Sequence, residues 1–192
     1  MKGSTQPIPE HLIYEMVDGV PIYYKGYKEY LREGKKNEAV MGSSVLQSAI
    51  IMELAFLLKA YFGKKNHILI NDLGLKFKKN SWRAADLAIV EKDRLGSKVM
   101  EDKYLDIPPK FVIEIDTKAD LESINDTFGY YHKKTNELLD FGVERVIWIF
   151  TEQKSVMLAD REEPWQIIDW QKSFFIEDLE IKLDQLIQSL LQ

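Results

Sequence analysis

Two apolar runs near the middle of the chain, Ala84-Ala85-Asp86-Leu87-Ala88-Ile89-Val90 and Phe111-Val112-Ile113-Glu114-Ile115-Asp116, read as buried strands, and each carries a carboxylate. An ionised carboxylate withdrawn from water costs several kcal/mol unless it is paired or bound to a metal, so both acids require a partner. Two convergent acids suit Mg²⁺, which keeps several waters and is held by one or two carboxylates plus substrate phosphate oxygens. Strand side chains alternate, so Glu114 and Asp116 are expected on one face, with Lys118 beside them if the strand extends that far. The plainer reading of Asp86 is a cap or ion pair at a strand end.

The flanking pattern supplies the rest of an α/β domain. Glu15 to Tyr24 carries an Asp18-Gly19 turn between apolar residues and reads as a β-hairpin whose second arm, containing Pro21, belongs at an edge. After a charged turn at Gly34-Lys35-Lys36-Asn37, the span Ser43 to Phe62 places Val45, Ile50, Leu54, Leu57, Leu58 and Tyr61 at helical spacing, with Ser43 or Ser44 as N-cap and Gly63 beyond the end. Short β-type runs follow at His67–Asn71 and Leu73–Lys78, ahead of the two acid-bearing runs. A loop is expected over 91–109, a helix from Ile124 to Phe141, and strands at Val143–Phe150, Ser155–Ala159 and Trp165–Trp170. Leu179 to Leu191 reads as an amphipathic helix.

A chain of 192 residues is enough for one sizeable core, so a single domain over 1–192 is expected, with 1–10 as a flexible tail. The start lacks a basic-then-apolar signal pattern, and no run of about 20 apolar residues stands out, so a cytoplasmic protein without a membrane partner is expected. The absence of cysteine excludes disulfides, thiolate nucleophiles and zinc-thiolate sites. His11, His67 and His132 lack ligand spacing, so any metal site is built mainly from oxygen. A net charge of −5 argues against non-specific coating of nucleic acid, although Lys64-Lys65, the cluster Lys76, Lys78, Lys79 and Arg83, and Lys133-Lys134 leave room for a local basic surface. Trp82, close to Arg83 and Asp86, reads first as a packing residue and second as a substrate contact.

The chain resembles the Uma2 family, within the PD-(D/E)XK nuclease fold, from about Glu15 to the C-terminal helix. The matching residues are Glu15-x-x-Asp18-Gly19, Met41-Gly42-Ser43-Ser44 leading into the first long helix, Ala85-Asp86 where the family has Pro-Asp, Glu114 in its apolar strand, and Lys134 ahead of Gly142-Val143 and Trp148. The resemblance implies a restriction-endonuclease-like mixed β-sheet flanked by helices, with an N-terminal hairpin extension. It also implies a metal-dependent endonuclease in which Asp86 and Glu114 ligate Mg²⁺, or Mn²⁺, with the Ile115 carbonyl completing the shell. The motif's lysine position holds Asp116 here, so the catalytic lysine is expected to be Lys134 from the neighbouring helix, with Lys118 second. Asp116 is then either a third ligand or a charge that holds Lys134, and Glu15 either a further ligand or a surface residue. Gln47 stands near where many family members carry histidine. DNA is the expected substrate and a homodimer the expected assembly; a nuclease fold retained for binding or regulation is the alternative, and hydrolysis of a small phosphorylated molecule a third.

Overall fold

In the computed structural model, which describes residues 8–33, 42–123 and 127–190, the apolar runs become inner strands of one mixed sheet. The expected turn at Gly34 to Asn37, Met41, the helix start at Ile124, Leu191 and most of the N-terminal tail lie outside the described residues. Glu10, assigned to the tail from the sequence, instead belongs to a short 3-10 turn over Glu10–Leu12 whose Leu12 is buried.

The Asp18-Gly19 turn joins β1 (Ile13–Val17) to β2 (Val20–Tyr23), and both turn residues have positive φ, 52° and 82°. That is the backbone of a tight hairpin turn matching strand twist. β2 is the outermost strand, which leaves Pro21 at an edge. The sheet runs β2-β1-β4-β5-β6-β7-β8, with β3 (Asn66–Lys78) also paired to β4 (Ser81–Glu91). β5 (Phe111–Ile115) lies parallel to β6 (Arg145–Phe150), and the other pairings are antiparallel. β7 is Ser155–Asp160 and β8 is Gln166–Asp169. The two runs expected before β4 form a single long strand, because a bulge at Asn71-Asp72, φ 78° and 53°, absorbs the break between them.

Helices cover both faces. Among the described residues α1 (Tyr27–Glu33) follows the hairpin, and α2 (Val45–Phe62) starts at Ser44, whose hydroxyl accepts the Gln47 amide at 3.0 Å. Ile50, Leu54, Leu58 and Phe62 of α2 pack on Leu87, Ile89, Ile113, Ile115, Ile147 and Ile149. By length and composition α2 is apolar enough to cross a membrane, a feature the sequence reading overlooked because Glu53 and Lys59 interrupt the run. The opposite face packs Val112, Val146 and Trp148 against Leu138 and Leu139 of a later helix (Thr127–Phe141).

The expected loop before β5 contains a short helix, α3 (Lys92–Leu95), and a 3-10 turn at Gly96–Met100. The helix over Thr127–Phe141 is therefore α4, the crossover between the parallel strands β5 and β6. The expected C-terminal helix from Leu179 is corrected. Leu179–Ile181 is a strand, β10, paired with β9 (Phe174–Ile176) around a Glu177 turn at φ 51°, and only Leu183–Ser189 forms a helix, α5. Period-two burial, with Phe174, Ile176 and Ile181 inside, outcompetes the helical pattern.

Candidate active site at the fork of the sheet

β4 pairs with β5 only from Leu87 to Ile89, and nearer its start it leaves β5 and meets β1 at Trp82 opposite Met16. Asp86 therefore sits at the fork, where its Oδ2 accepts the Ile115 amide at 2.8 Å. Alternation along β5 sends Ile113 and Ile115 under α2 and turns Glu114 toward α4. On α4, Lys134 faces inward with 0% exposure while Lys133, one helical step round, is 60% exposed at its side chain. The Trp148 indole donates to Thr135 Oγ1 at 2.9 Å and pins this helical face to the sheet.

Lys134 Nζ lies 2.8 Å from Glu15 Oε1 and 3.0 Å from Glu114 Oε1, between two wholly buried carboxylates. It also stands 5.6 Å from the Tyr14 ring centroid and 5.2 Å from that of Trp148. Glu15 gathers further partners: Arg83 at 2.7 Å, the Tyr130 hydroxyl at 3.0 Å and the Ala84 amide at 3.2 Å. Arg83 in turn reaches Glu137 at 2.6 Å, so the ion-pair chain runs from the partly exposed Glu137 to the fully buried Glu114. Glu114 ends the chain with both oxygens lacking a hydrogen-bond partner, its contact with Lys134 being an ion pair outside hydrogen-bond geometry.

Burial dominates the acid–base character. It pushes Glu114 up to about 8, the Lys134 cation opposing and the Asp86 and Glu15 charges adding to the rise. It pushes Asp86 up to about 6, against the Ile115 amide and the Lys134 charge. Glu15 is equally buried, yet Lys134 and Arg83 together overcome desolvation and lower its pKa. Lys134 is raised, because Glu114 and Glu15 outweigh the burial that disfavours its charge.

The fork brings together Asp86, Glu114, Lys134 and Glu15; Asp116 turns to Thr151, and Lys118 is ion-paired with Asp72 while its charge still acts on Asp86. Asp116 adopts φ 55° as the chain leaves β5, which ends the alternation, and its carboxylate accepts Thr151 N at 2.9 Å and Thr151 Oγ1 at 2.7 Å. It therefore does not share the Glu114 face, and its polar contacts fix the strand exit to Thr151 rather than hold Lys134. Lys118 pairs with Asp72 at 2.6 Å, on the β3 bulge. Among the described residues no three Asp, Glu or His side chains converge as a metal-holding group. The Ile115 carbonyl accepts the Gln47 side-chain amide at 2.8 Å, and the same nitrogen is 3.4 Å from Asp86 Oδ2.

Arg83, Tyr130 and Glu137 were missed as members of this cluster. The helical spacing of Tyr130, Lys134 and Glu137 places all three on one face of α4 and is the signal that identifies two of them. Arg83 carries a weaker signal, a charged residue opening an apolar strand, and its membership of a run of basic residues concealed it.

A mixed sheet that forks beside two buried acids and a lysine, with helices on both faces, defines the restriction-endonuclease-like class of α/β fold. The chain belongs to the Uma2 family, whose model, described as "Putative restriction endonuclease", matches residues 28–187. Its fold is similar to a crystal structure from Anabaena variabilis described as a "putative nuclease belonging to DUF820", with 14% identity, 96% of this chain and 94% of that chain covered, and a TM-score of 0.69. No curated protein matches it.

Proposed function

We propose that this chain is a Mg²⁺- or Mn²⁺-dependent endonuclease that hydrolyses DNA phosphodiester bonds at the fork. The observation that carries the reading is Glu114, buried with Oε2 unpartnered and Oε1 met by Lys134 at 3.0 Å, beside a second buried acid. The buried acids Glu15, Asp86 and Glu114 outnumber the buried cations Arg83 and Lys134 by one, and a divalent cation would favour the ionised forms of Asp86 and Glu114 that burial opposes. Asp86 and Glu114 would hold that ion, with the Ile115 carbonyl as a further oxygen. When bound, it supplies an acidified water and Lewis-acid polarisation of the phosphoryl group.

The protein's own groups do the remaining work. Lys134 is kept protonated by Glu15 and Glu114 and presents a fixed positive charge where negative charge grows on the phosphate. Its flanking Tyr14 and Trp148 rings keep water out and strengthen that interaction. Glu15, saturated by Lys134, Arg83, Tyr130 and the Ala84 amide, positions the lysine rather than ligating metal. Asp86 is oriented by the Ile115 amide, which couples the two arms of the fork. Duplex DNA as substrate is supported by the family description, and a homodimer would set two such sites against opposite strands.

One observation favours a binding module instead. The Gln47 amide lies against both Asp86 and the Ile115 carbonyl, where it competes with a cation for the same oxygens. Incubating the protein with supercoiled plasmid, single-stranded DNA and RNA in Mg²⁺, Mn²⁺ or EDTA separates the readings. Metal-dependent DNA cleavage is expected; metal binding without cleavage of any substrate would support the binding module.

A further inference from the structure

The basic run Lys76, Lys78, Lys79 and Arg83 does not stay together. Arg83 turns into the buried network, whereas Trp82, its neighbour on β4, is the cross-strand partner of Lys76. The loop ahead of β5 is pinned beside them, Leu105 N donating to Gly74 O and Lys76 N to Leu105 O, both at 2.8 Å. This brings Lys103 and Tyr104 to an open cavity of about 310 Å³ shared with Lys76, Lys78, Asn80 and Trp82. The rings of Trp82 and Tyr104 are 5.1 Å apart and inclined at 59°, and Tyr104 is 50% exposed. Gly74 makes that placement feasible, since a Cβ there would fall 2.5 Å from the Tyr104 ring.

The ionic partners of these lysines lie at the surface. Lys78 meets Asp18 at 2.7 Å and Lys103 meets Glu101 at 3.3 Å, while Asp106 on the cavity wall is matched by Lys98 at 2.9 Å. Lys76 has no carboxylate within ion-pair distance among the described residues. Exposed pairs of this kind contribute little and exchange readily for phosphate. An aromatic pair fixed in place beside lysines is the combination that binds unpaired nucleic acid: rings stack on a base while cations follow the backbone.

We propose that this cavity is a second nucleic-acid site, in which one base of an unpaired DNA segment stacks on the exposed Tyr104 ring, held in place by Trp82, and its phosphates contact Lys76, Lys78 and Lys103. Trp82 lies about 13 Å from Asp86 along β4, so a strand held here extends from DNA engaged at the fork. The choice of DNA rests on the nuclease reading; the stacking geometry does not.

The test is fluorescence anisotropy with a labelled oligothymidylate in EDTA, where no cleavage can intervene. Tyr104→Ala is expected to weaken binding about 5- to 150-fold, the range for losing one base–aromatic stack. Gly74→Ala, which retains every side chain of the site but displaces the Tyr104 ring, is expected to weaken it too, as is Lys76→Glu. Circular dichroism establishes that each variant is folded, and Tyr104→Ala, at an exposed position, carries the result if Trp82→Ala or Gly74→Ala fails to fold. Lys172→Glu, an exposed charge reversal just after β8 at the far end of the sheet from β3 and β4, is expected to bind as the wild type does. Unchanged binding in Tyr104→Ala and Lys76→Glu overturns the proposal, as does an equal loss of binding in Lys172→Glu. Equal competition by thymidine monophosphate at matched nucleotide concentration also overturns it, in favour of a free-nucleotide site. A wild type that binds the strand in EDTA but cleaves neither duplex nor single-stranded DNA in Mg²⁺ or Mn²⁺ would sink the nuclease reading and leave this site standing.

Discussion

Replacing Asp86 by Asn should make the metal-free protein more stable at neutral pH while removing its response to metal. Burial raises the carboxyl from 3.8 in the unfolded chain to about 6 in the folded one. Between those values the unfolded state releases its proton first, so rising pH costs stability through this window, and the loss is complete above pH 6. Two units correspond to about 3 kcal/mol. Asparagine keeps an oxygen for the Ile115 amide and carries no charge, so Asp86→Asn should recover most of that energy at pH 7. For a domain of this size the gain is about 6–12 °C in Tm. Urea unfolding in EDTA from pH 3 to 8 measures it: the two proteins should coincide near pH 3 and diverge through pH 6. Added Mg²⁺ should stabilise the wild type by roughly 3 kcal/mol at 100-fold over Kd and leave the variant unmoved. A variant less stable than the wild type at pH 7, or a difference independent of pH, would show that the Asp86 carboxylate is not destabilised by its burial.

Other consequences follow from the same geometry. Glu15→Gln leaves Lys134 and Arg83 with fewer counter-charges in a fully buried place and should destabilise by about 3–5 kcal/mol, measurable as a lower urea midpoint with an unchanged slope. Lys134→Met should abolish cleavage of plasmid DNA, whereas Lys118→Met, which removes the Asp72 pair and a minor charge influence on Asp86, should retain it; the reverse result would move the catalytic lysine. Gln47→Ala leaves the Ile115 carbonyl unpaired and should cost about 1–3 kcal/mol of metal-free stability while tightening Mn²⁺ binding in calorimetry, the opposite of what a Gln47 ligand would give. Asp116→Ala should loosen the strand exit at Thr151, seen as faster amide exchange there, with cleavage preserved.

The acids stood out because a carboxylate inside an apolar strand has few alternatives to a site, and the fold buries both, with the Asp86 charge acting on Glu114. The hairpin was legible from Asp18-Gly19, and α2 from its spacing and its serine cap. Lys134 stood out from Lys133 only through resemblance, since sequence shows adjacent lysines equally while a helix separates them by a quarter turn or more. Asp116 misled because alternation was extended one residue past the strand, and a left-handed turn that begins there is not visible in the residue type. Arg83 was hidden for a related reason: a charged residue in a basic run reads as solvated until the fold closes over it, and for Glu15, beside a turn, the same reading stood open next to that of a ligand. The strand at Leu179–Ile181 was lost because short alternating segments fit a helical pattern nearly as well.

If Asp86 and Glu114 form one metal-dependent nuclease centre, supercoiled plasmid in Mn²⁺ reports it. With wild type, Asp86→Asn and Glu114→Gln all verified as folded, conversion to nicked or linear DNA is expected from the wild type alone, abolished by EDTA. Cleavage that survives in both variants, or that EDTA does not stop, would contradict it.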